Sequence, residues 1–556
     1  MPIERQAADV IITTASIRTL DAANSIVQAV ATKGDRIVGL GSNLDVLSLA
    51  DARTRIIDAG GRTVLPAFTD THTHFRRGSL VEAFFVNYET VKPRTLAEAL
   101  APIRDRAAAL PPGTWIRGFD FGEHHIAEKR VPSRRELDEA APNHPVVIYT
   151  IGVHLAVANS LALKLAGISR ETADPPGGRI DRDKNGEPTG VLRERAKGRL
   201  DYSRADGVIP PLTPAQRLDG LRAGVRKLHE YGIASFHAMV AEVDEISDYQ
   251  RLRAERVRAR IQLLIRGVES QIRVEDVVGL GLTTGFGDDW LKIAGIKMSV
   301  DGVCVSKNAA VYEPYPGEPE NCGIVRIEQD ELEEKVLLSH RAGLRVSVHA
   351  IGQRAVDMTL QAFEKALAAE PRPDHRHRIE HAYLPPRPNQ LERMRDLGLL
   401  LSTQPSFIES FGDGWIDVFG KDQLGGVMPL RRALSLGLKV QANSDFPCSP
   451  MSPFLNLKSA VARRTRAGHV LDPGQAISVG QALRLLTTGA AYAGFEEHKR
   501  GSLELGKLAD VIIVSDDPYH VPAEALDQIR VDTTIVGGEV VFERADQGKA
   551  PQAIGG

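Results

Sequence analysis

The stretch TVLPAFTDTHTHF, residues 63 to 75, begins as an apolar, β-branched run and ends on Asp70, His72 and His74. Residues two apart on a strand point to the same face, so these three side chains share one side of a strand tip. Two imidazoles offered from one strand end can reach a single metal ion. For an isolated His-x-His a polar strand end fading into a loop is the commoner reading, so the rest of the chain has to decide.

Working outward, seven further apolar runs follow: IASFHAM (233–239), RIQLLIRGV (260–268), LKIAGIKMSVDG (291–302), LRVSVHAIG (344–352), HRIEHAY (377–383), LLLSTQPS (399–406) and LKVQANSDFP (438–447). Between them, segments such as PAQRLDGLRAGVRKLHEYG and DELEEKVLLSHRAG space apolar residues three and four apart, as core-facing helices do. Strand and helix alternating predicts a parallel sheet, and eight units predict an α/β fold, a (β/α)8 TIM-like barrel over residues 63–75 plus 206–499. Residues 76–205 interrupt the first unit and are expected to form an insertion domain covering the active site, because such barrels carry insertions in the loops at the C-terminal face. The two chain ends resemble each other, with ADVII at both 8–12 and 509–513 and short β-branched runs broken by Gly and Asp around each. These predict a flanking β-sandwich built from residues 1–62 together with 500–545.

At 556 residues the chain exceeds one compact core, and its 42% hydrophobic and 25% charged content is that of a globular protein. A formal charge of −3 gives no basic excess to attract nucleic acid or an anionic membrane. The start, MPIERQAADVIITTAS, does not read as a signal peptide, and no apolar run is long enough to span a bilayer. Cys304, Cys322 and Cys448 suggest neither a disulfide framework nor a cysteine zinc site. The expectation is a cytoplasmic protein acting on a small molecule. A homodimer through its exposed hairpins is an open option.

The decisive regularity lies at the strand ends. His72 and His74 close the first strand, Lys297 lies near the end of the fourth, His349 of the fifth, His381 of the sixth and Asp445 of the eighth. Taken singly, each has a bland reading as a core histidine, a snorkelling lysine or a turn aspartate. Taken together, six polar side chains would enter one barrel mouth, at the end where such barrels keep their chemistry. Unpaired buried charges are costly, and metal coordination relieves that cost. Four histidines and an aspartate suit zinc or a similar divalent metal. Lys297 fits such a set as a carbamate, an anionic oxygen donor made by reaction with CO₂.

TDTHTH, GIKMSVDG, VHAIGQRAV, RIEHA and ANSDFP together resemble the metal-site motifs of the amidohydrolase superfamily, and more narrowly its amidohydrolase-3 branch, which includes N-substituted formamide deformylases. The likeness extends over nearly the whole chain, including WIRGFDFGEHH, VHLAVANSLAL and LELGKLADVIIVSDDP. It implies a barrel with a flanking sandwich, one or two metal ions per subunit, and hydrolysis of an amide-type bond. Carried over by position, it implies that His72, His74 and Asp445 hold one ion, His349 and His381 the other, and a carboxylated Lys297 bridges them. It further implies that Asp445 takes the proton of a metal-activated water and passes it to the leaving amine. Gln353, where the branch usually has Asp, departs from the pattern, and altered capping or hydrogen bonding around the ligands is expected there.

Arg76 and Arg77 are candidates to grip a substrate carboxylate, and Trp115, Phe119, Phe121 and His154 are candidate pocket walls, against the alternative of core packing. DRDKNG at 181–186 opens like a calcium loop, but Leu192 stands at its twelfth position, so a hairpin turn is expected. Neither a dinucleotide fingerprint nor a Gly-x-Ser-x-Gly elbow is present. The reading is therefore a metal-dependent hydrolase of a non-peptide C–N bond. The alternatives are a hydrolase of a cyclic amide, carbamate or lactone, or a regulatory relative without activity.

Overall fold

The expected first strand breaks at Ala67. Thr63–Pro66 pairs with Ser16–Arg18 and Val511–Val514 in one sheet, whereas Phe68–Thr73 pairs with Ile233–Ala241 in another. Pro66 has no N–H with which to continue a ladder. The next two amides then go to different partners, Ala67 N–H to Asp510 O at 3.0 Å and Phe68 N–H to Gly232 O at 2.9 Å. The chain thus changes sheet within two residues. This is visible in a computed structural model that describes residues 7–123, 126–150, 155–175, 178–200, 207–268 and 271–545.

The barrel sheet has eight parallel strands: β1 Phe68–Thr73, β2 Ile233–Ala241, β3 Arg260–Arg266, β4 Leu291–Ser299, β5 Val346–Ala350, β6 Arg378–His381, β7 Leu400–Thr403 and β8 Lys439–Ala442. Each expected strand is present, and the fold is a (β/α)8 barrel. Val, Ile, Leu and Ala dominate these runs because a parallel strand is covered on both faces. Helices Pro214–Glu230 and Gln329–Arg341 lie in the two segments expected to be helical. The last seam closes past the strand ends, where Asp445 N–H donates to His72 O at 2.9 Å and His74 N–H to Phe446 O at 2.7 Å. The same two bonds lay Asp445 against the two histidines.

Both chain ends supply the neighbouring sheets. One runs Arg36–Gly41, Ala29–Lys33, Val10–Thr13, Arg55–Asp58; the other runs Glu539–Glu543, Val531–Val536, Val511–Val514, Thr63–Pro66, Ser16–Arg18, Ile26–Val27. The two ADVII segments lie in different sheets, and Val10, Ile12, Val511 and Ile513 meet in one apolar core. Alternate residues of both copies are spent on the same packing.

Arg76–Gly224 is a compact unit distinct from the rest of the chain. It holds a six-stranded mixed sheet and two apolar clusters of its own. Helix Arg134–Ala140 starts with a capping box between Ser133 and Glu136, which satisfies two amide donors of its first turn. Asp181 and Arg182 end the strand Gly178–Arg182, and DKNG turns the chain toward its antiparallel partner Pro188–Glu194, as a hairpin requires. Among the described residues, no helix is long and apolar enough to cross a membrane.

Candidate metal centre

Parallel strands deliver their C-terminal ends to one mouth of the barrel, and that mouth collects the polar residues. His72, His381 and Asp445 are buried, and one ligand atom from each lies within 4.8 Å of the other two. Asp445 Oδ1 is 3.4 Å from Nε2 of both His72 and His74. The His381 ring lies 5.0 Å from that of His72 and 4.4 Å from that of His349. His349 Nε2 is 3.4 Å from Gly302 O and 3.5 Å from Asp301 Oδ1. The tight trio therefore takes members from both of the ligand groups that the family pattern implied, with His74 and His349 at its margins. His74 is the most open, with a quarter of its side chain exposed (26%).

Two of the ligand candidates have their ring orientation set by neighbours. His72 Nδ1–H donates to Glu380 Oε2 at 2.7 Å, which leaves Nε2 as the lone-pair nitrogen. His381 Nδ1–H donates to Gln404 Oε1 at 2.9 Å, and Gln404 in turn donates through Nε2 to Asn443 Oδ1 at 2.8 Å, which fixes the direction of its amide. Burial pushes His72 down to about 4 and His349 and His381 well below the ordinary imidazole value, so these rings are neutral near pH 7. Neutral imidazole beside carboxylate is the donor set that a zinc-type ion takes, so the residues fit such a metal.

The backbone is unusual at two of these positions. His381 has φ 74° and Asp445 φ 52°, both left-handed and uncommon for residues with side chains. Alternation along β6 puts Arg378 and Glu380 on one face and His381 on the other. The left-handed turn at His381 overrides the alternation, so that Glu380 and His381 both reach His72.

Lys297 is buried, and burial pushes its ammonium down to about 8, against the opposing pull of the Glu380 and Asp445 carboxylates. Glu380 is fully buried; burial works against its charge, but Arg378, with Nε 2.6 Å from its Oε1, and His72 hold it well below the carboxylate range. Arg378 also donates to His237 Nδ1 at 3.0 Å and Thr71 O at 2.9 Å, so His237 is a hydrogen-bonded core histidine. Asp70 accepts from Ser444 through both N–H and Oγ–H and joins β1 to the closing segment; burial raises it to about 6. Asp301 accepts three amides, from Ala310, Ile351 and Gly352, at 2.8 to 3.1 Å. Gly352 is needed for that approach, since a Cβ there would fall 2.0 Å from Ala310 O. Gln353 begins helix Gln353–Ala369 and donates to Pro385 O at 3.1 Å, away from the trio.

Glu380, Gln404, Arg378 and Asp301 were not singled out from sequence. The signal for two of them was available: Arg378 and Glu380 are a charged pair two apart inside an apolar strand. Of the substrate candidates, Arg76 is half-buried, and the Arg77 guanidinium lies 5.2 Å from the centre of the Phe119 ring. Phe119 is buried in an apolar core of the insertion unit, Trp115 packs on that core, and Phe121 belongs to the unit's second core. Their rings are thus engaged in packing. His154 lies outside the described residues.

An eight-stranded barrel with histidine and carboxylate donors at the C-terminal mouth defines a class of hydrolase. A model of the amidohydrolase family matches residues 55–542, and the chain belongs to that family. An N-substituted formamide deformylase of Arthrobacter pascens is 32% identical over 97% of this chain and 99% of its own. The protein LONG AFTER FAR-RED 3 of Arabidopsis thaliana is 29% identical over 96% of this chain and 92% of its own. An uncharacterized metal-dependent hydrolase of Pyrococcus furiosus has a similar structure, with TM-score 0.73 and 27% identity over 92% of this chain and 99% of its own.

Proposed function

We propose that this protein is a metal-dependent amidohydrolase that cleaves a non-peptide C–N bond of the amide or N-substituted formamide type. The observation that carries the reading is the meeting of His72, His381 and Asp445 donor atoms within 4.8 Å of one another. The 32% identity to a formamide deformylase along nearly the full length of both chains supports the bond type. A zinc-type ion, when bound, lowers the pKa of water to about 7 and polarises a carbonyl oxygen.

The chain's own groups divide the remaining work. His72 and His381 present Nε2, while Glu380 and Gln404 hold their Nδ1 protons and keep the rings from turning. Asp445, 3.4 Å from His72 and His74, is the group to accept the proton of the attacking water and return it to the nitrogen of the departing amine. Lys297, whose charge burial disfavours, is the residue to add CO₂ through its neutral amine with loss of one proton. That carbamate would give the site a further anionic oxygen donor and room for a second ion beside His349.

The test is a substrate panel on protein with its metal content measured: N-substituted formamides, linear amides, cyclic amides, carbamates and lactones. Formamide or linear-amide turnover, lost on chelation and restored by zinc, is expected. Turnover confined to cyclic amides, carbamates or lactones would overturn the bond assignment, and metal-loaded protein inert toward every substrate would favour a regulatory relative.

A further inference from the structure

The opposite end of the barrel holds a cavity of about 540 Å³, large enough for a small organic ligand. Gln262, Lys292 and Ala294 in its wall lie near the starts of β3 and β4, and Arg345 directly precedes β5. The wall therefore belongs to the N-terminal ends of the strands, away from the mouth that carries His72, His381 and Asp445.

The charges of this wall do not balance. Asp288 pairs with Arg253, Asp289 with Lys499, Asp374 with Arg376, and Lys292 with Glu496. Two guanidinium groups remain. Arg345 is 1% exposed and bonds only carbonyls, through Nε to Ala294 O and through Nη1 to Ala493 O. Its Nη2 is buried with no hydrogen-bond partner. Arg372 likewise donates to carbonyls, His340 O at 2.9 Å and Leu344 O at 3.1 Å, and its Nε is buried and unpartnered. Gln262 donates through Nε2 to Glu496, and its Oε1 is a buried acceptor without a donor.

A buried cation without a directly bonded carboxylate is expensive, and the two lysines of this wall show the usual remedy, Lys292 on Glu496 and Lys499 on Asp289. Burial, together with the positive charge of Arg378, drives the Arg345 guanidinium well below its ordinary value, and the carboxylates of Glu380 and Glu496, which do not hydrogen-bond it, offset this only in part. Arginine stays protonated in proteins, so that pressure is relieved by negative charge brought from outside. Guanidinium N–H groups match the oxygens of carboxylate and phosphate.

We propose that this cavity binds a small organic oxyanion, with Arg345 and Arg372 donating to its carboxylate or phosphate oxygens and Gln262 Oε1 accepting from a hydroxyl or amide N–H. The site is separate from the metal centre and does not depend on the hydrolytic reading.

Calorimetric titration of the full-length, metal-loaded protein at constant ionic strength, with inorganic phosphate, glycerol 3-phosphate and lactate as separate probes, tests it. Saturable binding of at least one probe is expected, with chloride inert, and the better probe tells phosphate from carboxylate. Arg372→Gln, at a half-buried position, should weaken binding about tenfold or more, the loss of one charge-assisted hydrogen bond. His72→Ala should bind as the parent does. Arg345→Gln, checked for native circular dichroism, should lose binding; should it fail to fold, Arg372→Gln decides alone. Absence of saturable binding by all three probes, unchanged affinity in Arg372→Gln, or loss of binding in His72→Ala would each overturn the proposal, the last by locating the anion at the metal centre.

Discussion

At the N-terminal end of the barrel, His340, His375 and His377 use both ring nitrogens. His377 Nδ1 accepts from Val346 N–H at 2.9 Å, its Nε2–H donates to His340 Nδ1 at 2.9 Å, and His340 Nε2–H donates to Glu370 O at 2.7 Å. His375 accepts from His377 N–H and donates to Leu397 O, each at 2.9 Å. At the C-terminal end, His72 and His381 hydrogen-bond through Nδ1 alone. Both sets are buried and neutral, so burial does not tell them apart. The nitrogens left over distinguish these two sets, although the core histidine His237 also keeps a buried Nε2 without a partner. An imidazole with both nitrogens engaged has nothing to give a ligand, whereas one held at Nδ1 offers a fixed Nε2.

Four experiments test this contrast, and the largest effect belongs at the C-terminal mouth. His72→Ala and Asp445→Asn should each abolish hydrolysis and lower bound metal by elemental analysis, with circular dichroism unchanged. Full activity in either would remove the distinction. Next, Gln404→Leu removes the hold on His381 Nδ1 together with the bond to Asn443 Oδ1, and about a 10- to 100-fold loss in metal affinity or kcat/KM is expected, the scale typical of groups that orient a metal ligand. At the other end, His377→Phe should leave kcat/KM of the folded protein unchanged while urea denaturation shows a loss of about 1–3 kcal/mol, because the Val346 amide is left unsatisfied. An activity loss there, with stability intact, would erase the difference between the two ends.

The smallest effect is a pH slope. His229 donates to Arg258 O at 2.7 Å and is pushed by burial from 6.5 down to about 4. Between those values the unfolded chain binds a proton that the native protein refuses, so stability rises with pH. His229 thus contributes fully above pH 6.5, and the contribution is lost as pH falls toward 4. Replacing it by Gln should flatten the slope of unfolding free energy by about 1.4 kcal/mol per pH unit in that window, measured by urea denaturation at several pH values.

Much of the fold was legible because barrel strands are local signals. Eight apolar runs of the right length became eight strands, and the alternating residues of ADVII in both chain ends marked the two faces of one core. The join at Ala67 was not legible, since TVLPAFTDTHTH is one apolar run whose two halves pair with segments far away in sequence. The polar ends of the strands were legible as a set. Their grouping was not, because the chain turns into the left-handed region at His381 and Asp445, and no strand periodicity anticipates that.

Which residue types stand at the C-terminal ends of parallel strands follows from the order of residues alone, because period two and apolar burial depend only on neighbours along the chain. Long-range contacts set which nitrogen each histidine has to spare, that Glu380 and Gln404 hold the ligand rings, and that Arg345 and Arg372 line a cavity with no carboxylate bonded to them. Those outcomes depend on hydrogen bonds and charge pairs between residues tens to hundreds of positions apart, and these form only once the barrel has closed.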